Sequence, residues 1–302
     1  PFAHIALISA TLKLRHPAIF YAALLNSQPM GFYSPHTILW DASRHGVSIR
    51  RVDMNHSFWD CTVEGSCGLR LGFRMVEGFA AASARVLTTA RSNGAYRSVA
   101  DFIRRTGLNR DQLERLAQVG TFTDVTDRRK ATWMVGELAN LSGPQFIPGL
   151  AEKLAIPAKL PAMDMRERVE RDYMAMGYSP ERHIVQDYRD RLNAIGAQPL
   201  TDLPNLPHRT PVQVGGLIIC RQQPASANGF TFLTMEDETG LLNIIVRPNV
   251  FDQYRKDVCG TPLILVRGYI SHEQDATSLI SEHFTPLAGS PIASTMPRRD
   301  FH

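Results

Sequence analysis

The sequence predicts a multidomain chain, helical first and β-stranded last, whose final part closes as a five-stranded barrel of OB type. Three observations carry this. Up to about Ile195 the apolar residues recur mainly at helical spacing. From Pro211 the period drops to two, giving extended runs at 212–220, 230–235, 241–246, 262–270 and 277–284. One short helix, 248–258, with Val250, Phe251 and Tyr254 on one face, falls between the third and fourth runs, which is the element order of an OB-fold.

Taken in order, residues 2–14 read as a helix whose inner stripe is Ile5, Ile8 and Leu12, and Pro17 opens a second helix. Ser34-Pro35 is an N-cap followed by a first-turn proline, Ile38, Leu39 and Ala42 form the buried stripe, and Gly46 ends that helix. Residues 47–55 read as extended. Helices return over 71–140, broken by Val76-Glu77-Gly78-Phe79, restarted near Ser83, capped again by Asn109 and ended by Gly120. Two helix–turn–helix units in about 60 residues, rich in arginine, predict tandem helix-hairpin-helix modules. Such hairpins grip DNA because a glycine turn presents backbone N–H groups at a helix N-terminus, where the peptide dipoles favour phosphate. Gly78 read alone is a weak signal, since most glycines in helical turns are C-caps.

Prolines 144, 148, 157 and 161 mark a linker, two amphipathic helices follow (Met165, Val169, Tyr173, Met176; then Val185, Tyr188, Leu192, Ile195), and prolines 199, 204, 207 and 211 mark the next boundary. On the second barrel strand Phe230 and Phe232 share a face. They read either as core or as platforms for bases, and the acidity of the segment favours core.

Charge sharpens the functional expectation. The net charge of +4 says little, but residues 66–130 hold 12 Arg/Lys against 6 Asp/Glu, and eleven of the twelve are arginine. Residues 211–287 hold 5 basic and 8 acidic residues. Nucleic-acid affinity is therefore expected in the helical segment. Its DNA contacts are expected at Arg70, Arg74, Gly78, Arg85, Arg104, Arg105, Arg110 and Arg115, with Arg221 and Arg247 (and Arg267 behind them) on the barrel. Locking of the arginines in internal ion pairs would break this reading.

Several chemistries are excluded. No Asp-x-Asp pair, Walker loop, H-E-x-x-H or Gly-x-Ser-x-Gly occurs, so neither a catalytic residue nor a metal ligand is expected. Asp124/Asp127, Asp187/Asp190 and Glu236-Asp237-Glu238 read as solvated faces and a turn. Cys61, Cys67, Cys220 and Cys259 lack metal or redox spacing and read as reduced thiols. No uncharged apolar stretch reaches about 18 residues, so a cytoplasmic, non-membrane chain is expected. It opens inside a helical pattern without an initiator Met, as a fragment of something longer would.

Ala22-Ala23-Leu24-Leu25-Asn26-Ser27, continuing into Gln28-Pro29-Met30-Gly31-Phe32-Tyr33, resembles one bacterial polymerase family. So do Arg44-His45-Gly46-Val47, Val52-Asp53-Met54-Asn55, Trp59-Asp60-Cys61 and the run from Leu69 to Gly78. Arg221-Gln222-Gln223-Pro224, Phe232 to Gly240 and the ending Arg299-Asp300-Phe301-His302 continue the likeness in the same order. Together they resemble the C-family (Pol III α-like) DNA polymerases, in their error-prone ImuC-type branch. The resemblance implies a fingers remnant over 1–65, tandem hairpins over 66–140, linker and two connecting helices over 141–210, an OB-fold over 211–288 and a tail over 289–302. It implies synthesis across damaged bases, with primer–template and template single strand as ligands and accessory proteins of the mutagenesis cassette as partners. Mg2+ would sit in a palm outside this segment, and Lys13 and Arg15 could face the incoming triphosphate or simply solvent. The replicative α subunit is the rival, but it carries a further domain after the OB-fold, and here only about 15 residues follow the last strand. Ala80 departs from the pattern where a second hairpin glycine often stands. A sliding-clamp peptide is poorly matched by Gln145-Phe146-Ile147-Pro148-Gly149-Leu150, so the clamp enters at most indirectly. A free-standing nucleic-acid module and a partner-recruiting scaffold are the non-enzymatic alternatives.

Overall fold

A computed structural model describes residues 2–30, 34–139, 160–273, 276–287 and 300–301, and the chain divides into two compact units, Pro1–Pro180 and Glu181–His302. The linker prolines 144, 148 and 157 and the segment 145–150 lie outside the described residues.

The first unit begins with α1 (Phe2–Arg15), α2 (Pro17–Asn26) and α3 (Pro35–Arg44). Ser34 caps α3 by accepting a hydrogen bond from the Thr37 N–H, with Pro35 in the first turn. Gly46 takes the left-handed conformation that ends it. Against expectation, α1 buries none of its residues, and Ile5, Ile8 and Leu12 are exposed. Helical spacing sets which side chains share a face; it does not supply a surface to cover them.

A small sheet follows, its first strand inside the expected extended segment 47–55 and its other two unexpected. Its strands are β1 (Ser48–Arg50), β2 (Thr62–Glu64) and β3 (Gly68–Arg70), with β3 central, parallel to β1 and antiparallel to β2. Strands of three residues are too short for alternation to register. Four helices then build the body: α4 (Ala81–Arg91), α5 (Val99–Thr106), α6 (Arg110–Gln118) and α7 (Arg128–Leu138). Ser98 caps α5, Asn109 and Gln112 form a reciprocal capping box on α6, and Asp127 caps α7. Leu87, Phe102, Ile103, Leu113, Leu116 and Val135 are fully enclosed in one core, and Phe102 packs edge-on to Phe122 with ring centroids 5.1 Å apart. The next helix, α8 (Met165–Met176), packs into this unit. Its Asp172, fully buried, accepts hydrogen bonds from Arg51 (3.2 Å), Arg128 (2.7 Å) and Ser179 (2.7 Å).

The second connecting helix, a 3-10 turn Ile184–Tyr188 running into α9 (Arg189–Ala194), belongs to the second unit. There β4 (Pro211–Gln222), β5 (Thr231–Glu236), β6 (Leu241–Val246), β7 (Leu263–Glu273) and β8 (Ala276–Pro286) pair in the order β5-β6-β8-β7-β4, and β4 pairs back onto β5. The barrel is closed. β6 and β8 run parallel and the other barrel pairs antiparallel, and α10 (Pro248–Gly260) sits between β6 and β7 in the chain. This is the OB-like five-stranded barrel expected from the change of period. Gly268 lies at the β7–β8 irregularity, where an added Cβ would come within 2.0 Å of the Ile280 carbonyl oxygen, so no side chain fits. A last short strand, β9 (Asp300–Phe301), pairs parallel with Arg221–Gln222.

One strand faces the other way from the reading favoured in sequence. Thr231, Leu233 and Met235 point into the barrel, whereas Phe232 is 37% exposed on the outside. Period two fixed which residues share a side, but both faces of this strand carry apolar residues, so the pattern could not choose between them.

Candidate nucleic-acid interface

The first hairpin is built as a sharp turn ahead of α4. After a 3-10 turn, Phe73–Met75, Gly78 adopts φ +72° and Ala80 becomes the N-cap of α4 in extended conformation. Alanine offers no side-chain acceptor, and the first turn of α4 has no acidic residue, so its N–H groups have no side-chain cap. From α6, Arg115 donates to the Glu77 carbonyl at 2.9 Å, and a Cβ on Gly78 would lie 2.6 Å from its Nη1. A glycine is needed here twice over, for its positive φ and for the guanidinium lying against it. Uncapped donors, the positive end of a helix and an arginine beside them form an arrangement able to hold an anion.

The basic residues of 66–130 separate into two groups. Eight arginines have a carboxylate partner. Arg70 binds Glu64 through two donors (2.8 and 3.0 Å) and also the Arg51 carbonyl. Arg74 binds Asp60 at 2.7 Å and the carbonyls of Asn26 and Gln28. Arg105 holds Asp101 and the carbonyls of Ala90, Gly94 and Ala95 over the ring of Tyr96. Arg128 and Arg129 pair with Asp172 and Glu167. These contacts tie segments of the fold together, so Arg70, Arg74 and Arg105 have a structural role in place of the free surface position expected of them. Arg104, Arg110 and Arg115 pair with Asp101, Glu114 and Asp111 one helical turn away and are more exposed. Such pairs are weak in water, and their arginines can exchange a carboxylate for another anion.

The second group is small. Among the described residues, the side chains of Arg85, Arg91 and Arg97, together with Lys130, make no ion pair. All three arginines fall between 78 and 100, a stretch without a single Asp or Glu. Arg85 and Arg97 are exposed, and Arg91 is partly buried against the ring of Phe58. Of the three, only Arg85 is among the contacts expected from the sequence. The sequence signal for the other two is this acid-free run, which the charge balance of 66–130 as a whole hides.

Elsewhere the expected positions are less accessible or differently engaged. Lys13 binds Asp41 at 2.7 Å, alongside the Tyr21 hydroxyl at 2.6 Å, while Arg15 is exposed. On the barrel, Arg221 donates to the Val258 carbonyl in the last turn of α10, Arg247 to the Tyr269 hydroxyl and Arg267 to Gln213.

Within the first unit, a cluster of possible metal ligands appears that sequence spacing does not reveal. Asp53, His56 and Asp124 bring one ligand atom each within 4.8 Å of one another. Asp53 Oδ1 accepts from the N–H groups of Asn55 and His56 and lies 2.7 Å from His56 Nδ1. Burial, and then the neighbouring Asp53 carboxylate, push the Asp124 carboxyl above its ordinary range. The hydrogen bonds within the trio account for its geometry.

A family described as a helix-hairpin-helix motif matches residues 46–132. An error-prone DNA polymerase of Anaeromyxobacter sp. (strain K) is 38% identical over 313 residues, covering all of this chain and 27% of the relative. Error-prone DNA polymerase 1 of Rhizobium meliloti (strain 1021) is 38% identical over 320 residues, covering 95% of this chain and 29% of the relative. The whole chain is homologous to the C-terminal part of error-prone DNA polymerases. A third relative, the error-prone DNA polymerase of Methylococcus capsulatus (strain ATCC 33009 / NCIMB 11132 / Bath), is 36% identical over 323 residues, covering 99% of this chain and 31% of its own length. The chain thus spans less than a third of the error-prone polymerases it matches. The helix-hairpin-helix match takes in the small sheet as well as α4, α5 and α6. Among the described residues, no helix is long and apolar enough to cross a membrane.

Proposed function

We propose that this chain holds DNA for an error-prone polymerase, gripping the sugar–phosphate backbone of primer–template duplex through the acid-free stretch 78–100. The observation that carries the reading is the partition of charge: among the described residues, the arginines of 66–130 that form no salt bridge are Arg85, Arg91 and Arg97, and they follow directly on the hairpin whose helix N-terminus is uncapped. An ion-paired arginine must give up one anion to take another, whereas an unpaired one releases counterions from the DNA at no such cost. Nucleotidyl transfer on damaged templates, and the Mg2+ it requires, belong in this reading to a palm outside the 302 residues, which contain no Asp-x-Asp pair. DNA and the accessory proteins of the same mutagenesis system are the partners it implies.

The test is a salt titration of DNA binding by the full chain. Replacing Arg85 and Arg97 together with alanine is expected to flatten the plot of log affinity against log salt by about 2, at roughly 0.9 per phosphate contact. Replacing the paired Arg104 and Arg110 is expected to change the slope less. Equal slopes for wild type and the Arg85/Arg97 double variant would remove this surface from DNA binding.

A further inference from the structure

Phe58 is half exposed, 52% of its surface open to solvent, in a loop otherwise held rigidly. Its carbonyl accepts from the Phe73 N–H at 2.8 Å and the next one, of Trp59, from the Arg74 N–H at 3.1 Å. The preceding Ser57 donates its hydroxyl to the Leu71 carbonyl at 2.7 Å and accepts from the Asp53 N–H at 3.0 Å. The ring itself is backed by a cation. Arg91 Cζ lies 4.7 Å from the ring centroid, and its Nη1 is fixed by the carbonyls of Ser57 (2.9 Å) and Met54 (3.2 Å). Arg91 forms no salt bridge; the carboxylate of Asp53 acts on it only from a longer range, and burial lowers its pKa. A large apolar side chain is thus immobilised with one face on a guanidinium and the remaining surface facing water. Alongside it stands a positive charge, free of any salt bridge, from the same acid-free stretch.

We infer that Phe58 and Arg91 form a binding site for one unpaired nucleotide, the base stacking on the open face of Phe58 and its phosphate meeting the charge of Arg91. The inference rests on the DNA-holding reading above and adds to it a ligand that duplex contacts do not supply. Bases inside a duplex are stacked on both sides and offer no face to a protruding ring; an unpaired base does. A ring held by its backbone and by a cation loses little conformational freedom when a base settles on it. The ligand class is a single-stranded nucleotide next to the duplex, without preference for base identity, since every base has a π-face.

The experiment compares three forms of the full chain, wild type, Phe58→Ala and Phe58→Tyr, on blunt duplex and on the same duplex with an overhang carrying 2-aminopurine at unpaired positions. Thermal melting confirms that the variants are folded. The expected result is roughly tenfold weaker binding of the overhang substrate by Phe58→Ala, loss of the change in 2-aminopurine fluorescence, and rescue of both by Phe58→Tyr, with blunt-duplex binding unchanged. Wild-type behaviour of Phe58→Ala on the overhang overturns the inference and leaves the backbone grip standing. An equal loss on both substrates also overturns it, because Phe58 would then be a duplex contact. If wild type binds neither substrate, the DNA-holding reading fails and the inference with it.

Discussion

Arg189 clasps both acids at the tip of the β5–β6 turn: its Nη2 lies 2.9 Å from Asp237 Oδ2 and its Nε 2.5 Å from Glu238 Oε1. Asp237 is fully buried, and its other oxygen accepts from the N–H groups of Thr239 and Gly240 and from the Thr239 hydroxyl, while Oδ2 also takes the Leu200 N–H. Burial alone would lower the pKa of Arg189, but the carboxylates of Glu238 and Asp237 outweigh it and raise the guanidinium above its usual range. The acidic residues that the sequence places simply in a turn therefore mark where α9 and the segment before the barrel are fastened to β5 and β6.

Replacing Asp237 with alanine leaves a partly buried guanidinium with one carboxylate and strips an acceptor from three backbone donors. The expected loss is about 3–5 kcal/mol, the usual cost of breaking a buried ion pair from one side. Urea unfolding of the full chain, followed by a probe in the barrel, measures it. A loss below about 1 kcal/mol would mean that the turn is held by something else.

Phe232 and Leu233 are neighbours on β5 that face opposite ways. Leu233→Ala is expected to destabilise the barrel by about 2–5 kcal/mol, and Phe232→Ala by less than about 1 kcal/mol, because only the first opens a cavity. The comparison is decisive if both are measured by the same denaturant curve. A larger cost for Phe232 would reverse the strand's orientation.

The pair Arg70–Glu64 predicts a pH dependence. The hydrogen bond from Arg70 holds the Glu64 carboxyl below its ordinary value of 4.5 despite some desolvation. A carboxylate depressed in the folded state stabilises fully above its unfolded value and loses that contribution as the pH falls through its folded one. Wild type and Glu64→Gln should therefore differ in melting temperature near neutrality and converge in acid, below the folded pKa. A constant difference across that range would show that the charge of Glu64 does not matter.

The barrel was legible because alternation over five runs is long enough to be heard above noise, and because Pro248 and the short helix after it punctuate the series. Ser34 and Asn109 were legible as caps because capping is local, needing only residues three apart. The three-residue strands around Leu69 were not, and neither was the fate of α1. The site was half legible. An arginine-rich helical segment was plain, but which arginines are free was not, because partners such as Asp172 for Arg128 and Glu167 for Arg129 stand 44 and 38 positions away.

Residue order alone dictates the succession of helix, hairpin and barrel, and the concentration of arginine in 66–130. These follow from periodicity, caps and composition, which are properties of neighbouring residues. Long-range packing sets the rest: Arg70, Arg74 and Arg105 serve the fold, Arg85, Arg91 and Arg97 stay out of salt bridges, and Phe232 looks outward. Pairing and facing depend on which distant segments meet, and the distance between two charges in space, which sets their interaction, is not contained in their separation along the chain.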